Sequence, residues 1–430
     1  MKKAVSMGAD DVICTRVTDR TKQIRFANNS VTASKSWASN NIGIYLTKDK
    51  RILSTDVTEP AELDRTLEEL MKRIRMMEPN DEYRGIAFGT PKYRKDVADP
   101  AMDSMVEELY DHVDAAISAA TEAGASRVAG VLYSGTAEVN QATSGGSVGT
   151  YSTSALEISV RAMSDLDSSG HMVQSVASSW KFKPADVGRT AGELAIESRK
   201  PEMGEAGKFD VLFSPMIFAN ILDHVGSACS AGAVESGMSY FADMLEKNVA
   251  SELVSCCDDG INPESIVSPP FDGEGVPTRR TQLIEKGVLK NYLHNTSTAK
   301  RHGTESTGNA GLVFPEPWTV YLEPGQKTRD QLISGIDRGY YMTNTWYTRF
   351  QNYRTGDFST IPRDAIFRIE KGKLAGPVKD IRISESMLNI LGNVTAVGND
   401  PMLVHWWEVE TPISCPHVLV KDVNITRSTQ

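Results

Sequence analysis

Long apolar runs, paired cysteines and an excess of basic charge are all missing from this 430-residue sequence, and each absence excludes a class of function. No stretch approaches the roughly 18 apolar residues that a bilayer-spanning helix needs, so no membrane association is expected. Met1-Lys2-Lys3 has the charge of a leader's first residues, but Gly8-Ala9-Asp10-Asp11 follows before any apolar stretch of useful length. The cysteines (Cys14, Cys229, Cys256, Cys257 and Cys415) are odd in number, irregularly spaced and without a CxxC pair. They offer no disulfide framework and suit a reducing, cytoplasmic compartment. Lys and Arg total 46 against 56 Asp and Glu, a formal charge of −10. That balance argues against a protein that grips DNA or RNA through phosphates, and no direct nucleic-acid binding is expected. The P-loop and GxGxxG patterns are absent, as is HExxH.

What is present is an ordinary globular balance, 40% hydrophobic and 24% charged, over a length that suggests two or three domains. Residues 11–17 and 42–46 read as short strands around the polar turn Asn28-Asn29-Ser30. From Pro60, apolar residues from Leu63 to Met77 recur at three- and four-residue steps, the period of an amphipathic helix. Further helices are expected over Asp103–Ala123, ending at Gly124, and after Pro184. Arg127–Tyr133 and Leu156–Val160 read as strands. Lys200–Gly207 is short, polar and punctuated by Pro and Gly, so it reads as a linker. Beyond it come a strand (Phe209–Phe213), a helix over 215–231 and a long Pro/Gly/Asp loop over 258–280. Two similar Lys-Gly turns follow, at Lys286-Gly287 and Lys371-Gly372, within a mainly strand-like chain. The expected fold is α+β in two domains: residues 1–200 mixed α/β, and residues 208–430 larger and β-rich.

Gly145-Gly146-Ser147-Val148-Gly149 matches the GxSxG nucleophile elbow, which requires an apolar strand before it and a helix after it. Here a polar segment precedes and an alternating, strand-like segment follows, so the five residues read as a plain turn. The helix over 215–231 is unusually polar, with Asn220, Asp223, His224, Ser227, Cys229 and Ser230. His224 and Cys229 are five apart, about 140° around an ideal helix, and do not converge on one ion without a distortion. Val225, next to His224, cannot take a proton from water.

The ordered succession Pro270–Thr278, Leu283–Leu289, Tyr292–Asn295, Thr298-Ala299 and Ser306–Asn309 resembles the TldD/PmbA family, long labelled "modulator of DNA gyrase". Thr355–Ser359, Ile381–Ser384, Val397–Asp400 and Ile24–Asn29 agree with it. The resemblance implies a cytosolic two-subunit peptidase in which the TldD-like subunit carries HExxxH and a later Cys around zinc. The PmbA-like (TldE-like) subunit lacks that motif, and together they hold an unfolded peptide extended and degrade or process it. In one register, Asp223, His224 and Ala228 stand where the family has His, Glu and His; in the next, His224 and Cys229 take the His positions and Val225 that of Glu. Either way the general base is lost, so the resemblance implies a non-catalytic subunit with no catalytic residue or metal of its own, zinc residing in a TldD-like partner. The partner is expected to be that subunit or a second copy, and Trp346, Trp406 and Trp407 are candidates for the interface or for the core. Phe271, Asp272, Gly275, Asn295, Gly308 and Asn309 are candidates for backbone-led peptide binding. A self-sufficient metallohydrolase with divergent ligands is one alternative. A stand-alone peptide-binding or gyrase-modulating interaction protein is another.

Overall fold

Asn28 and Asn29 lie at φ 51° and 63°, a left-handed turn that asparagine tolerates because its short side chain bonds locally. They join two very long strands, β1 (Val12–Ala27) and β2 (Ser30–Lys48), and a second left-handed pair, Asp49 and Lys50, leads into β3 (Arg51–Val57). With β4 (Arg127–Thr143), β5 (Val148–Met163) and β6 (Ser169–Val176) they form an antiparallel sheet in the order β3-β2-β1-β4-β5-β6. The computed structural model describes residues 1–95, 98–311 and 313–427.

Successive strand residues point to opposite faces. Even-numbered apolar residues such as Val12, Ile24, Ile44, Leu132 and Leu156 are buried, and helices cover them. These are α1 (Lys2–Ser6), α2 (Leu63–Arg73), α3 (Glu107–Glu122) and α4 (Pro184–Glu197). The odd-numbered face is left for other partners.

The second half begins with β7 (Glu202–Met203) and β8 (Gly207–Phe213), then α5 (Pro215–Ala228) and α6 (Ala231–Glu235). Next come β9 (Cys256–Asp259), β10 (Arg280–Glu285), β11 (Val288–Leu289), α7 (Thr296–His302) and β12 (Val320–Leu322). The chain closes with β13 (Arg338–Asn352), β14 (Asp357–Glu370), β15 (Lys373–Lys379), β16 (Ile381–Ser386), β17 (Val394–Val397), β18 (Met402–Trp406), β19 (Val409–Cys415) and β20 (Val418–Arg427). One sheet has the order β11-β10-β9-β12-β19-β18. The other runs β13-β8-β20-β16-β14-β15-β7, and an additional β13–β14 pairing closes its first five strands into a ring. The fold is α+β, with helices on one face of the first sheet and a strand-rich second half.

Several sequence boundaries shift. The short strands at 11–17 and 42–46 belong to strands of 16 and 19 residues, and the expected Arg127–Tyr133 strand continues to Thr143. The helix expected from Asp103 begins at Glu107, after a 3-10 turn at Pro100–Asp103. The segment read as a linker is not free, because β7 pairs in parallel with β15. Within the GxSxG segment Gly145–Ser147 is indeed a turn, and Val148 and Gly149 already belong to β5. Both Lys-Gly turns have the left-handed geometry their glycines suit, with Lys286 and Gly287 at φ 45° and 81° and Lys371 and Gly372 at 50° and 74°.

Candidate functional site

The helix α5 starts with Ser214 as N-cap, its hydroxyl accepting from the Ile217 N–H, and with Pro215 in the first turn, where no N–H is missed. It ends at Ala228 rather than at 231. The backbone of Cys229–Ala231 bonds that of Leu293 instead of continuing the helix, and Ser230 is extended. All residues of α5 except His224 and Ser227 are buried, because the helix is packed between β12 and β19 on one side and β8 and β13 on the other.

In this setting the helix's polar side chains are committed to the scaffold. Asp223 accepts the backbone N–H groups of Glu410 (3.0 Å) and Thr411 (3.3 Å), and burial raises its pKa. Asn220 donates to the Glu408 carbonyl and accepts from the Thr348 hydroxyl. His224 meets Phe350 edge-on at 5.0 Å, and its buried Nε2 has no hydrogen-bond partner among the described residues. Burial lowers its pKa from 6.5 to about 4, with Glu410 opposing. The Cys229 thiol is fully buried and pushed well above its ordinary range by burial and then by Cys256 and Asp258. Ala228 has no donor to give.

A zinc ion does not fit this donor set. Zinc takes three or four converging N, S or O ligands, whereas both Asp223 oxygens are turned to backbone amides and His224 stands against an aromatic ring. Among the described residues, no three His, Cys, Asp or Glu side chains are grouped so as to hold a metal. Because His224 is neutral when folded but charges below pH 6.5 when unfolded, it costs stability as pH falls from 6.5 to about 4. A His224→Leu variant should therefore gain on the unmodified protein steadily between pH 7 and pH 5 in denaturant midpoint. An equal difference at both pH values would contradict this.

A roomy recess lies elsewhere. A cavity of about 910 Å³ opens where the odd-numbered face of the first sheet meets the second half. Its walls include Thr15, Val17, Gly43, Tyr45 and Tyr83 from one side, and the 271–274 turn, Asn295, Arg301 and Trp318 from the other. α5 does not line it, but the following helix contributes Gly232 and Glu235. Burial raises Asp272 to about 6; burial and then Asp272 raise Glu274 to about 7. Tyr83 donates to Asp11 at 2.8 Å, while burial pushes Tyr45 up to about 12.

Three of the peptide-binding candidates, Phe271, Asp272 and Asn295, line this cavity; Gly275, Gly308 and Asn309 are not part of its wall. Phe271 is wedged between Tyr93 (4.4 Å) and Tyr151 (5.1 Å). Asn295 caps α7, accepting from the Thr298 N–H while the Thr298 hydroxyl accepts from the Asn295 N–H. Asn309 donates to Asp258 (2.6 Å) and to the Glu316 carbonyl (2.9 Å). Gly308 turns at φ +75°, where an added Cβ would lie 2.6 Å from the Pro277 carbonyl oxygen. The long loop over 258–280 is thus a clamped wall, held further by Arg94, which donates to the Ser268 and Pro269 carbonyls. Of the tryptophans, Trp406 is buried beside His171 (4.7 Å), whereas Trp407 is 54% exposed.

Residues 206–427 match the family description "PmbA/TldA metallopeptidase C-terminal domain". The chain belongs to the PmbA/TldD family. It is 32% identical over 221 residues to a metalloprotease of Methanothermobacter thermautotrophicus, covering 50% of this chain and 48% of that one. It is 26% identical over 243 residues to the metalloprotease PmbA of Escherichia coli O157:H7, covering 56% and 51%. The chain therefore spans about half the length of the curated relatives it matches. In fold it is similar to a Thermotoga maritima protein described as a modulator of a DNA gyrase (TM-score 0.87, 24% identity, 99% and 98% covered). It is equally similar to TldE from Thermococcus kodakarensis (TM-score 0.87, 20% identity, 99% and 98% covered). This family membership makes the chain a metallopeptidase-related protein, and no helix among its described residues is long and apolar enough to cross a membrane.

Sequence reasoning missed Tyr45, Tyr83, Glu235 and Glu274. Their one signal was an acidic residue, Glu274, set between Gly273 and Gly275; Tyr45 on β2 and Tyr83 in the irregular segment after α2 carry no local mark.

Proposed function

We propose that this chain is the PmbA/TldE-like, non-catalytic subunit of a TldD-type metallopeptidase pair, and that it helps to hold unfolded peptide rather than cut it. The observation that carries the proposal is the state of α5. A zinc peptidase needs converging ligands and a carboxylate placed to take a proton from the bound water. Here the carboxylate next to His224 in the chain is Asp223, and both of its oxygens accept backbone amides, those of Glu410 and Thr411. The helix has become a structural strut between two sheets. The cavity supports the second part of the reading, since its volume is in the range of pockets that enclose organic ligands and its walls are mostly aromatic and polar.

The isolated protein is expected to contain no stoichiometric zinc after purification in zinc-supplemented medium and to show no peptidase activity. Elemental analysis giving close to one zinc per chain, lost in His224→Ala, would instead favour a self-sufficient hydrolase with divergent ligands.

A further inference from the structure

β2 lines the cavity with Gly43 and Tyr45 and then runs on well past it. β1 pairs with β2 along its whole length, from Leu46 down to Ser30. β3 pairs with the other edge only from Lys48 to Ile42, which faces Val57. From Asn41 back to Ala33, the outer edge of β2 has no backbone partner among the described residues. Thr47 exchanges its backbone bonds with Asp10 and Asp11 on the β1 side, so the odd-numbered residues of β2 address β1 and the even-numbered ones address the outer edge. Ser34, Ser36, Ala38 and Asn40 thus present their N–H and C=O groups to an empty lane.

Exposed edges in natural sheets are usually blunted by charges, prolines or bulges. This one carries a single charge, Lys35, and no proline, and the only register shift of the β1–β2 pair lies beyond Ala33. Its side chains are mostly Ala, Ser and Asn. Trp37, 45% exposed, stands on the same face of the strand as Gly43 and Tyr45. A strand laid on this edge would run end to end with β3 and finish beside Gly43 and Asp56, both part of the cavity wall.

We infer that the Ala33–Asn41 edge of β2 receives an extended, unfolded polypeptide as an added strand and leads it toward the cavity. This rests on the peptide-holding role proposed above and assigns the place where the backbone is recognised. The chemistry fits that class of ligand. Unpaired amides demand an extended backbone, small neighbours impose no sequence, and Trp37 offers an apolar platform to any side chain. The continuity with the cavity favours a peptide over a second copy of the chain, because a copy's edge is fixed in its own sheet and cannot turn into the cavity mouth.

The test uses the full chain and a fluorescently labelled, unstructured peptide of Val, Thr, Ser and Gly. Ser36→Pro with Ala38→Pro removes two outward N–H groups while leaving the β1 side of the strand intact, a placement that sheet edges tolerate. The variant should keep its melting temperature and weaken peptide binding by about tenfold or more. Hydrogen exchange on the unmodified protein supplies an arm that needs no variant: peptide should slow exchange at Ser34, Ser36, Ala38 and Asn40. Undiminished binding by the folded variant, or no protection at these amides, overturns the inference while leaving the peptide-holding role standing. Absence of any peptide binding by the unmodified chain overturns both. A dimer in sedimentation that the variant dissociates, with peptide binding unchanged, assigns the edge to a second copy and likewise overturns it.

Discussion

Replacing Asp272 by alanine is expected to lower stability by about 3–5 kcal/mol and to open the cavity wall. The Asp272 carboxylate accepts the N–H groups of Glu274, Val276 and Ala310, each at 2.9 Å, and the residue is 1% exposed. Alanine would leave three amides buried without an acceptor, each costing about 1–3 kcal/mol, less what is regained by no longer burying an acid. Burial already raises this carboxyl to about 6, so the offset is real and the sum falls short of three full penalties. Asp272→Asn keeps one acceptor oxygen and should lose less. Urea denaturation of the three proteins checks the order; an alanine variant within about 0.5 kcal/mol of the unmodified protein would refute this account of the loop.

A comparable loss, about 3–5 kcal/mol, is expected for Asp364→Ala. Asp364 lies on β14 with its side chain fully buried, and accepts from Arg161 Nε (2.7 Å) and Ser169 (2.8 Å) of the first sheet and from Asn344 (3.0 Å) of β13. Burial pushes its carboxyl up, but Arg161, His171 and the hydrogen bonds outweigh it and hold the group below the usual carboxylate range. Removal strands the Arg161 guanidinium, only a third exposed, and unpicks a junction between the two halves of the chain. Its stabilisation is present above the ordinary Asp pKa and lost as pH falls through the lowered one. The double variant Arg161→Met with Asp364→Ala should recover much of the loss, since removing both charges leaves none unpaired. Additive losses in that cycle would mean the two residues act separately.

Much of the local structure was legible in the sequence because it is written in backbone chemistry. The Asn28-Asn29 and Lys-Gly turns and the turn at Gly145–Ser147 each depend on residues within a few positions. The length of β1 and β2 was not legible, because residues such as Thr18, Arg20, Ser34 and Ser36 are exposed or half-buried and show no hydrophobic alternation. The fate of the loop over 258–280 was hidden for a different reason. Its glycines and acids look like an open binding loop, but Tyr93 and Arg94, far away in the chain, reach across and bind its carbonyls. The cavity likewise exists only because the first sheet meets the second half, a juxtaposition that no local pattern encodes. That α5 carries no HExxxH pattern could be read directly from its residues.

The most direct test of the account is to co-express this chain with an HExxxH-bearing family member from the same organism and assay the purified species against an unfolded polypeptide and a folded one. The account predicts a stable complex that cleaves the unfolded chain and spares the folded one, with zinc in the HExxxH-bearing subunit and no cleavage by this chain alone. Zinc-dependent cleavage by this chain in isolation, or failure of the two to associate at micromolar concentration, would contradict it.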